Sequence, residues 1–361
     1  MKDEKTTQKD EDVRHLALYR KYRPQEFKEV LGQDLAIQVL ETAIEQDKIY
    51  HAYIFAGDRG TGKTTVARIF AKNIGCSQDD IFELDAASNN KVEDIRLIID
   101  ATQASTFGSR YKVYILDEAH MLSKSAFNAL LKTLEEPPSH VIFILATTDK
   151  YKIPDTIISR CQEIDFVSPS IKNLEKLITS VTKKEEIEID SEAKKKIAEE
   201  GRGSFRDTLS VLEKILNTLN KKEISIEDVK ELFGTVEDDE IFNILEAVAE
   251  KNVYKLLTSL NNLKLETSQI VDRVYVEIVK MFELSLFMRY LSVDEAKEIF
   301  MGQAGEKLLK KTKALAEKHP KVISSNNLYS LLEIEKELNQ NSNLKKSILK
   351  TGLIRILENV V

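Results

Sequence analysis

The segment GDRGTGKT at residues 57–64 matches the pattern G-x-x-x-x-G-K-[ST] and decides the fold of this sequence. The apolar run YIFA (53–56) comes just before it, and a helical pattern begins at Lys63 just after it. In such a unit, glycines let backbone N–H groups point at phosphate oxygens, and the helix N-terminus adds partial positive charge. Lys63 would reach the β and γ phosphates, and the Thr64 hydroxyl would ligate Mg²⁺. The motif predicts a nucleoside triphosphate site formed by Gly57, Gly60, Thr61, Gly62, Lys63, Thr64 and Thr65.

Short apolar runs alternate with helical patterns from Leu16 to about Phe166. The runs are bounded by turn residues, and they are YIFA (53–56), IFEL (81–84), KVYILD (112–117), VIFILAT (141–147) and QEIDF (162–166). Runs this apolar are typical of strands that are buried on both faces of a parallel sheet. We therefore predict a doubly wound α/β domain.

The pattern changes after Pro169, where strand-like runs disappear and helical periodicity continues to the C-terminus. The whole of this remainder is predicted to be helical. Its first block, about 170–234, ends at the break Phe233-Gly234-Thr235, which gives a boundary near 235. The second block begins with apolar residues at helical spacing, namely Ile241, Ile244, Leu245 and Val248. Residues 1–14 are polar and aperiodic, and we expect a flexible tail there.

Length and composition limit the possible classes of protein. A chain of 361 residues is long enough for two or three domains, and 31% charged with 42% apolar residues is typical of a globular protein. The formal charge of −7 argues against a generally basic nucleic-acid coat but allows a local basic stripe. The two cysteines, Cys76 and Cys161, support neither a disulfide framework nor a zinc site, so we expect the cytoplasm. We expect neither a signal peptide nor a membrane span, because the charged N-terminal stretch lacks an apolar core and no run of about 18 apolar residues occurs.

A carboxylate pair, Asp117-Glu118, follows the predicted strand 112–117. At the carboxyl edge of a parallel strand this pair would face the nucleotide. Asp117 would hold Mg²⁺, directly or through water, and Glu118 would orient and activate the attacking water for phosphoryl transfer. An acidic pair after a strand is usually only the start of a loop, but the phosphate-binding motif favours the catalytic interpretation.

Further polar residues follow the later predicted strands. Thr147 and Thr148 end the run 141–147, where a hydroxyl can sense the γ phosphate or position water, although either could be simple turn chemistry. Arg160, within Ser159-Arg160-Cys161, precedes the last strand, and Arg206, within GSFRD (203–207), opens a helix. Isolated arginines are most often ordinary surface residues.

Several longer stretches together carry a family resemblance. They are LYRKYRP (18–24) with Gly32-Gln33, HAY (51–53), DAAS (85–88), DEAHML (117–122), FNALLKTLEEPP (127–138) and ATTD (146–149). With them, almost the whole chain after residue 16 resembles the gamma/tau subunits of bacterial DNA polymerase III clamp loaders. It is less similar to the small subunits of eukaryotic and archaeal clamp loaders.

The resemblance implies an AAA+ module followed by a collar. The α/β nucleotide-binding domain would be 15–168, the small helical lid 169–234, and the helical collar 235–361, which joins five subunits in a ring. The implied partners are delta-type and delta-prime-type subunits, further copies of this chain, the sliding clamp and primer–template DNA, with no membrane. The implied activity is ATP hydrolysis that drives clamp loading within DNA polymerase III, with ATP and Mg²⁺ bound.

The resemblance also assigns roles to individual residues. Arg160 would be a finger that reaches the ATP of a neighbouring subunit, Arg206 the lid sensor and Thr148 the sheet sensor. The adenine pocket would include Ala17, Tyr19, Arg20 and Pro24. Arg96 and Lys132 occupy positions that contact DNA phosphates in the family.

The sequence departs from its relatives in one region. Relatives carry a four-cysteine zinc module before the DAAS segment, whereas this chain has only Cys76 there, within NIGCSQDDI (73–81). Tetrahedral zinc needs three further ligands, so we expect no zinc. The chain also ends at Val361, just after the collar-like helices, as the short gamma form does.

Three alternatives compete with this interpretation, and the first of them fails on architecture. Residues 117–120 spell DEAH, as in a helicase, but such helicases carry a second α/β motor domain, which the helical pattern after Pro169 argues against. An AAA+ motor that remodels DNA junctions would fit the same motifs. A scaffold subunit that does not hydrolyse nucleotide is also conceivable, although the intact Lys63, Thr64, Asp117 and Glu118 argue against it.

Overall fold

The chain forms two units that divide between Leu232 and Phe233. The structure, a computed structural model, describes residues 16–233, 237–263, 265, 267–299 and 305–358. The predicted tail, 1–14, lies outside the described residues, and so do Gly234 and Thr235 of the predicted boundary. The two units are described separately below.

The first unit is built on a five-stranded parallel sheet with strand order β2-β3-β4-β1-β5. Its strands are β1 (Ala52–Ala56), β2 (Ile81–Asp85), β3 (Lys112–Asp117), β4 (Val141–Thr147) and β5 (Gln162–Asp165). Each of the five predicted runs is a strand, with ends that agree to within about one residue. The predicted α/β class is confirmed.

Helices cover both faces of this sheet because successive strand residues point to opposite sides. They are α1 (Leu18–Lys21), α2 (Asp34–Glu45), α3 (Lys63–Asn73), α4 (Val92–Thr102), α5 (Lys124–Glu135) and α6 (Asp155–Ile158). Tyr53 and Phe55 of β1 face the core that includes residues of α2 and α3, whereas Ile54 faces the core that includes residues of α4 and α5. Both cores are dry and apolar, so the strand ends are held in fixed positions.

Four helices follow β5, and all but the last residue of the fourth lie within the first unit. They are α7 (Ile171–Lys184), α8 (Ser191–Glu200), α9 (Phe205–Leu219) and α10 (Ile226–Phe233). Polar side chains cap three of them: the oxygens of Ser170, Asp190 and Ser204 accept backbone N–H groups in the first turns of α7, α8 and α9. These caps fix where each helix begins.

The prediction that everything after Pro169 is helical was wrong in one detail. Strand β6 (Glu188–Ile189) pairs in parallel with β7 (Glu223–Ile224), which joins the chain before α8 to the chain before α10. Ile189 and Ile224 are buried in this pair. Two residues are too few to form an alternating pattern, so no sequence signal predicts the pair.

The described part of the second unit is helical. Its helices are α11 (Asp238–Ala249), α12 (Val253–Asn262), α13 (Ser268–Phe287), α14 (Val293–Ile299), α15 (Glu306–Lys318), α16 (Ser325–Gln340) and α17 (Lys345–Glu358). They pack around one apolar core to which Ile244, Phe282 and Leu331 belong. Within the described ranges of both units, no helix is long and apolar enough to span a membrane.

Candidate active site

The loop between β1 and α3 carries the phosphate-binding motif and continues the hydrogen bonding of the sheet. The amide of Gly57 donates to the carbonyl of Thr147 at 3.2 Å. Gly62 has φ +104° and immediately precedes α3, and a Cβ built there would meet no atom within 4 Å. The loop therefore has the left-handed backbone that glycine permits, beside open space at the N-terminus of a helix.

A buried glutamine, to which the sequence assigned no role, holds the phosphate-binding loop in place. Gln33 is 2% exposed, and its Nε2 donates to the carbonyls of Thr61 (3.2 Å) and Val167 (2.7 Å). Its Oε1 accepts the amide of Val167 at 3.1 Å. Gln33 lies in one of the stretches that carry the family resemblance, and that is the only sequence signal for it. It holds the loop to the chain that follows β5.

Lys63 is 6% exposed and points back across the loop. Its Nζ donates to the carbonyls of Gly57 (2.7 Å) and Asp58 (2.8 Å). Burial lowers the pKa of Lys63 from its ordinary value, while the nearby carboxylates of Glu118, Asp117 and Asp58 act in the opposite direction. The ammonium is thus held at the loop with few water contacts, where an anion would be strongly attracted.

The predicted magnesium ligands meet in space. Thr64 Oγ1 donates to Asp117 Oδ2 at 2.9 Å, across 53 residues of sequence. Asp117 Oδ1 accepts the amide of Glu118 at 3.0 Å, which fixes the carboxylate plane. A hydroxyl and one carboxylate suit Mg²⁺, which keeps several waters and takes further oxygens from substrate phosphates. This donor set fits the metal without a larger acidic cluster.

Glu118 adopts an unusual backbone conformation immediately after β3. Its φ and ψ are +50° and +43°, in the left-handed region, which costs a non-glycine residue about 1 kcal/mol. Its Oε2 accepts the hydroxyl of Thr148 at 3.1 Å and lies 3.5 Å from Nδ1 of His120. The structure therefore brings the predicted catalytic carboxylate and the predicted sheet sensor into contact.

A cavity of about 870 Å³ opens above these residues. The predicted residues on its wall are Tyr19, Arg20, Pro24, Gly60, Thr61, Gly62, Lys63, Thr64, Thr65, Asp117, Glu118 and Arg206. The guanidinium of Arg206, at the start of α9, lies 4.8 Å from the centre of the Tyr19 ring. Hydrogen bonding to Arg20 and the charge of Arg206 lower the pKa of Tyr19. The cavity thus extends from the carboxyl edge of the sheet to α1 and α9.

Three residues predicted for the nucleotide site of their own chain do not line the cavity. Ala17 precedes α1, where its carbonyl accepts the amide of Arg20 at 2.8 Å. Gly57 begins the loop, and Thr148 donates its hydroxyl to Glu118, which lines the cavity. Ala17 contributes to the start of α1, whose residues Tyr19 and Arg20 line the cavity.

The cavity wall also includes three arginines to which the sequence assigned no individual role, Arg23, Arg59 and Arg68. Burial, and then the charge of Arg68, lower the pKa of Arg23 from its ordinary value. Arg68 Nε donates to Glu83 at 2.5 Å. Arg23 stands in the family stretch 18–24 and Arg59 within the phosphate-binding motif, yet charge alone does not distinguish either from a surface arginine. Together they make the cavity attractive to anions.

Arg160 lies outside this cavity. Its guanidinium donates to Glu135 Oε1 (2.5 Å) and to the carbonyl of Thr156 (2.6 Å). The candidate DNA contacts, Arg96 on α4 and Lys132 on α5, are both exposed, on two helices that pack against each other. None of these three residues is brought to the nucleotide site of its own chain.

Both cysteines are free. Cys76 Sγ lies 3.2 Å from the carbonyl of Tyr111, and burial raises its pKa to about 11. Among the described residues, no three His, Cys, Asp or Glu side chains are grouped so as to hold a metal. That no zinc is bound stays a prediction for metal analysis.

The fold and site together define the class of protein. A parallel sheet of order β2-β3-β4-β1-β5, a phosphate-binding loop before α3, acidic residues after β3 and a helical segment that follows β5 are the features of an AAA+ P-loop protein. The Holliday junction branch migration motor RuvB of Thermotoga maritima has the same fold. It matches with a TM-score of 0.51 at 23% identity, over 65% of this chain and 80% of that chain.

Sequence comparisons identify the family. Residues 32–90 and 80–170 match the model described as DNA polymerase III, delta subunit. DNA polymerase III subunit gamma of Buchnera aphidicola subsp. Acyrthosiphon pisum is 39% identical over 267 residues, 68% of this chain and 74% of that protein. DNA polymerase III subunit tau of Bacillus subtilis is 41% identical over 268 residues, but the match spans only about half of its length, 47%. The chain belongs to the family of DNA polymerase III gamma/tau subunits.

Proposed function

We propose that this chain is an ATP-hydrolysing subunit of a DNA polymerase III clamp loader, which opens a sliding clamp and loads it onto primed DNA in the cytoplasm. The observation that carries the proposal is the contact of Thr64 with Asp117, 2.9 Å, beneath a loop whose lysine is buried, in a chain of the gamma/tau family. The proposed parts are a nucleotide-binding domain, 15–168, a lid, 169–234, and a collar, 235–361.

The residues at the cavity suit ATP as the substrate. The N–H groups of the loop and the ammonium of Lys63 would bind its phosphates, and the pocket beside Tyr19, Arg20 and Pro24 would take the base. Thr64 and Asp117 would hold Mg²⁺, which when bound neutralises charge on the phosphates. Glu118 would take a proton from the attacking water, while Thr148 would respond to the γ phosphate.

The position of Arg160 supports an active site shared between subunits. Its guanidinium lies outside the cavity of its own chain, so a role at a phosphate requires a neighbouring subunit. A ring of five, made of copies of this chain with delta-type and delta-prime-type subunits, would supply such neighbours. Hydrolysis would then depend on assembly, because the finger that stabilises the transition state comes from another chain.

The exposed, positively charged side chains of Arg96 and Lys132 support contact with DNA phosphates. Neither forms an ion pair within the described part of the chain, and they lie on the adjacent helices α4 and α5. Contacts of this kind fix the position of a duplex without reading its sequence. Binding that does not depend on base sequence suits a primer–template junction, which would be recognised by its shape.

Reconstitution with partner subunits tests the proposal. We expect slow basal ATP hydrolysis that rises strongly when sliding clamp and primed DNA are added together. An assembly that binds ATP but never hydrolyses it would identify a scaffold subunit instead. Stimulation by junction DNA without clamp would identify a DNA-remodelling motor. The likeness to RuvB, which concerns the fold alone, does not favour that second outcome.

A further inference from the structure

The imidazole of His120 lies between the ends of β3 and β4. His120 belongs to the short turn 119–121 that directly follows Glu118, and its side chain is only 10% exposed. Its Nδ1 is 3.1 Å from Thr147 Oγ1 and 3.5 Å from Glu118 Oε2. One ring nitrogen thus faces both a buried hydroxyl and the carboxylate proposed to activate water.

The partners of Nδ1 indicate which tautomer is present. An ionised Glu118 can only accept hydrogen bonds, so a proton on Nδ1 is favourable, whereas a lone pair there would face the lone pairs of the carboxylate. The hydroxyl of Thr147 is anchored, since its side chain is fully buried and its Oγ1 also accepts the amide of Asp149 at 3.0 Å. Thr147 therefore fixes the ring, and a protonated Nδ1 lies 3.5 Å from the Glu118 carboxylate.

The Glu118 carboxylate is contacted by two side chains beside a backbone of unusual conformation. Its left-handed conformation is strained for a residue with a side chain. Thr148 contacts the same oxygen, Oε2, at 3.1 Å, so His120 and Thr148 approach that atom together. We infer that His120 is a positioning residue for ATP hydrolysis, which restrains the Glu118 carboxylate while Glu118 itself acts on the water.

This inference rests on the proposed function, and substitution of His120 tests it in the full chain assembled with its partner subunits. We expect His120→Ala to lower kcat about tenfold while leaving the Kd for ATP unchanged, since a displaced general base loses rate and not substrate binding. His120→Asn should recover much of the rate, because its amide nitrogen can replace Nδ1 as a donor. As a matched control, His140→Ala should behave as wild type, because His140 precedes β4 at the opposite edge of the sheet and contacts the carbonyl of Ala104.

Two results would overturn the inference. One is a wild-type kcat in His120→Ala. The other is that His120→Ala and His120→Asn lose kcat and ATP affinity to the same extent as each other. That result would show that the ring only fills space in the fold.

A double substitution separates action through Glu118 from any independent effect. In a Glu118→Gln background, His120→Ala should cause no further loss, because the group that it positions is already disabled. A further tenfold loss would contradict the inference. A wild-type assembly that hydrolyses ATP without any response to clamp and primed DNA would contradict only the proposed clamp-loading function, since the role of His120 is measured in basal hydrolysis as well. No hydrolysis under any condition would contradict both.

Discussion

The amide of Phe205 donates a hydrogen bond to the carbonyl of Gly60 at 3.0 Å. This bond joins the phosphate-binding loop to the first residue of α9, the helix that carries Arg206. Ser204 caps the same helix, and its hydroxyl lies against Gly60. Any movement of α9 is therefore transmitted directly to the loop that would hold the phosphates.

Substitution of Gly60 by alanine should disturb both the loop and α9. The φ of Gly60 is +76°, and a Cβ there would overlap Ser204 Oγ. We expect Gly60→Ala to lower the free energy of unfolding by roughly 2 kcal/mol and to weaken nucleotide binding. The control is Gly75→Ala, where φ is +90° but no atom lies within 4 Å, so only the smaller conformational cost applies. Urea unfolding and ATP titration measure both effects, and equal losses in the two variants would contradict the contact with Ser204.

Lys63→Ala should abolish nucleotide binding without destabilising the protein. The charge of Lys63 is buried and its pKa is lowered, so the folded protein gains little from the ammonium in the absence of phosphate. Isothermal titration with ATP should show no binding, while the unfolding midpoint stays at or above that of wild type. Lys72→Ala, on the exposed part of the same helix, should retain binding. Loss of folding in Lys63→Ala would contradict this explanation.

Arg160→Ala should preserve ATP binding and impair hydrolysis only in the assembled ring. The guanidinium is absent from the cavity of its own chain, and trans-acting arginine fingers contribute roughly 10³-fold or more to kcat. Equilibrium binding and steady-state hydrolysis in the reconstituted complex measure the two effects. Arg110→Ala is the matched control, since Arg110 forms an exposed ion pair with Asp47. Reduced ATP affinity of the isolated Arg160→Ala chain would indicate a role within the chain instead.

The stability of the segment 169–234 should depend on the ionisation of Asp228. Its carboxylate accepts Lys221 Nζ at 2.6 Å and the amide of Ser225 at 3.0 Å, and the hydrogen bond from Lys221 is the largest cause that lowers its pKa to about 2. The folded-state pKa is thus below the usual value, so this stabilisation is present above about pH 4 and is lost as pH falls towards 2. Asp228→Asn should lower the midpoint of urea unfolding at pH 7, and the difference from wild type should narrow between pH 4 and pH 2. A difference in unfolding midpoint between the variant and wild type that does not change with pH would contradict this prediction.

The two thiols should be unreactive in the folded protein. Burial raises the pKa of Cys76 to about 11 and that of Cys161 to about 12, so little thiolate exists at pH 8. A thiol reagent such as 5,5′-dithiobis(2-nitrobenzoic acid) should modify both cysteines at least tenfold more slowly in native protein than in urea. Rapid native modification of Cys161 in the wild type, but not in Cys161→Ser, would show that its surroundings open readily.

Features that depend on local patterns could be predicted from the sequence alone. The phosphate-binding motif, the five strands of the sheet and the largely helical remainder follow from residue spacing within short windows, and the family stretches indicated the class of subunit. Burial on both faces, expected for all five strands, was wrong for the edge strands β2 and β5, which are partly exposed. Gly62, Lys63 and Thr64 have their positions because a strand, a loop and a helix follow one another directly along the chain.

Contacts between residues that are distant in the sequence depend on the tertiary structure. The sheet order places β4 beside both β1 and β3, and this brings Thr147 and Thr148 to the residues that follow Asp117. The structure likewise pairs Arg160 with Glu135, buries Gln33 beneath the loop and joins β6 to β7. Such contacts cross long stretches of sequence, and side-chain packing and hydrogen bonding select them, so no local pattern records them. His120 illustrates the difference between sequence pattern and tertiary contact. The residue belongs to a sequence motif, but only the fold places its ring beside two partners.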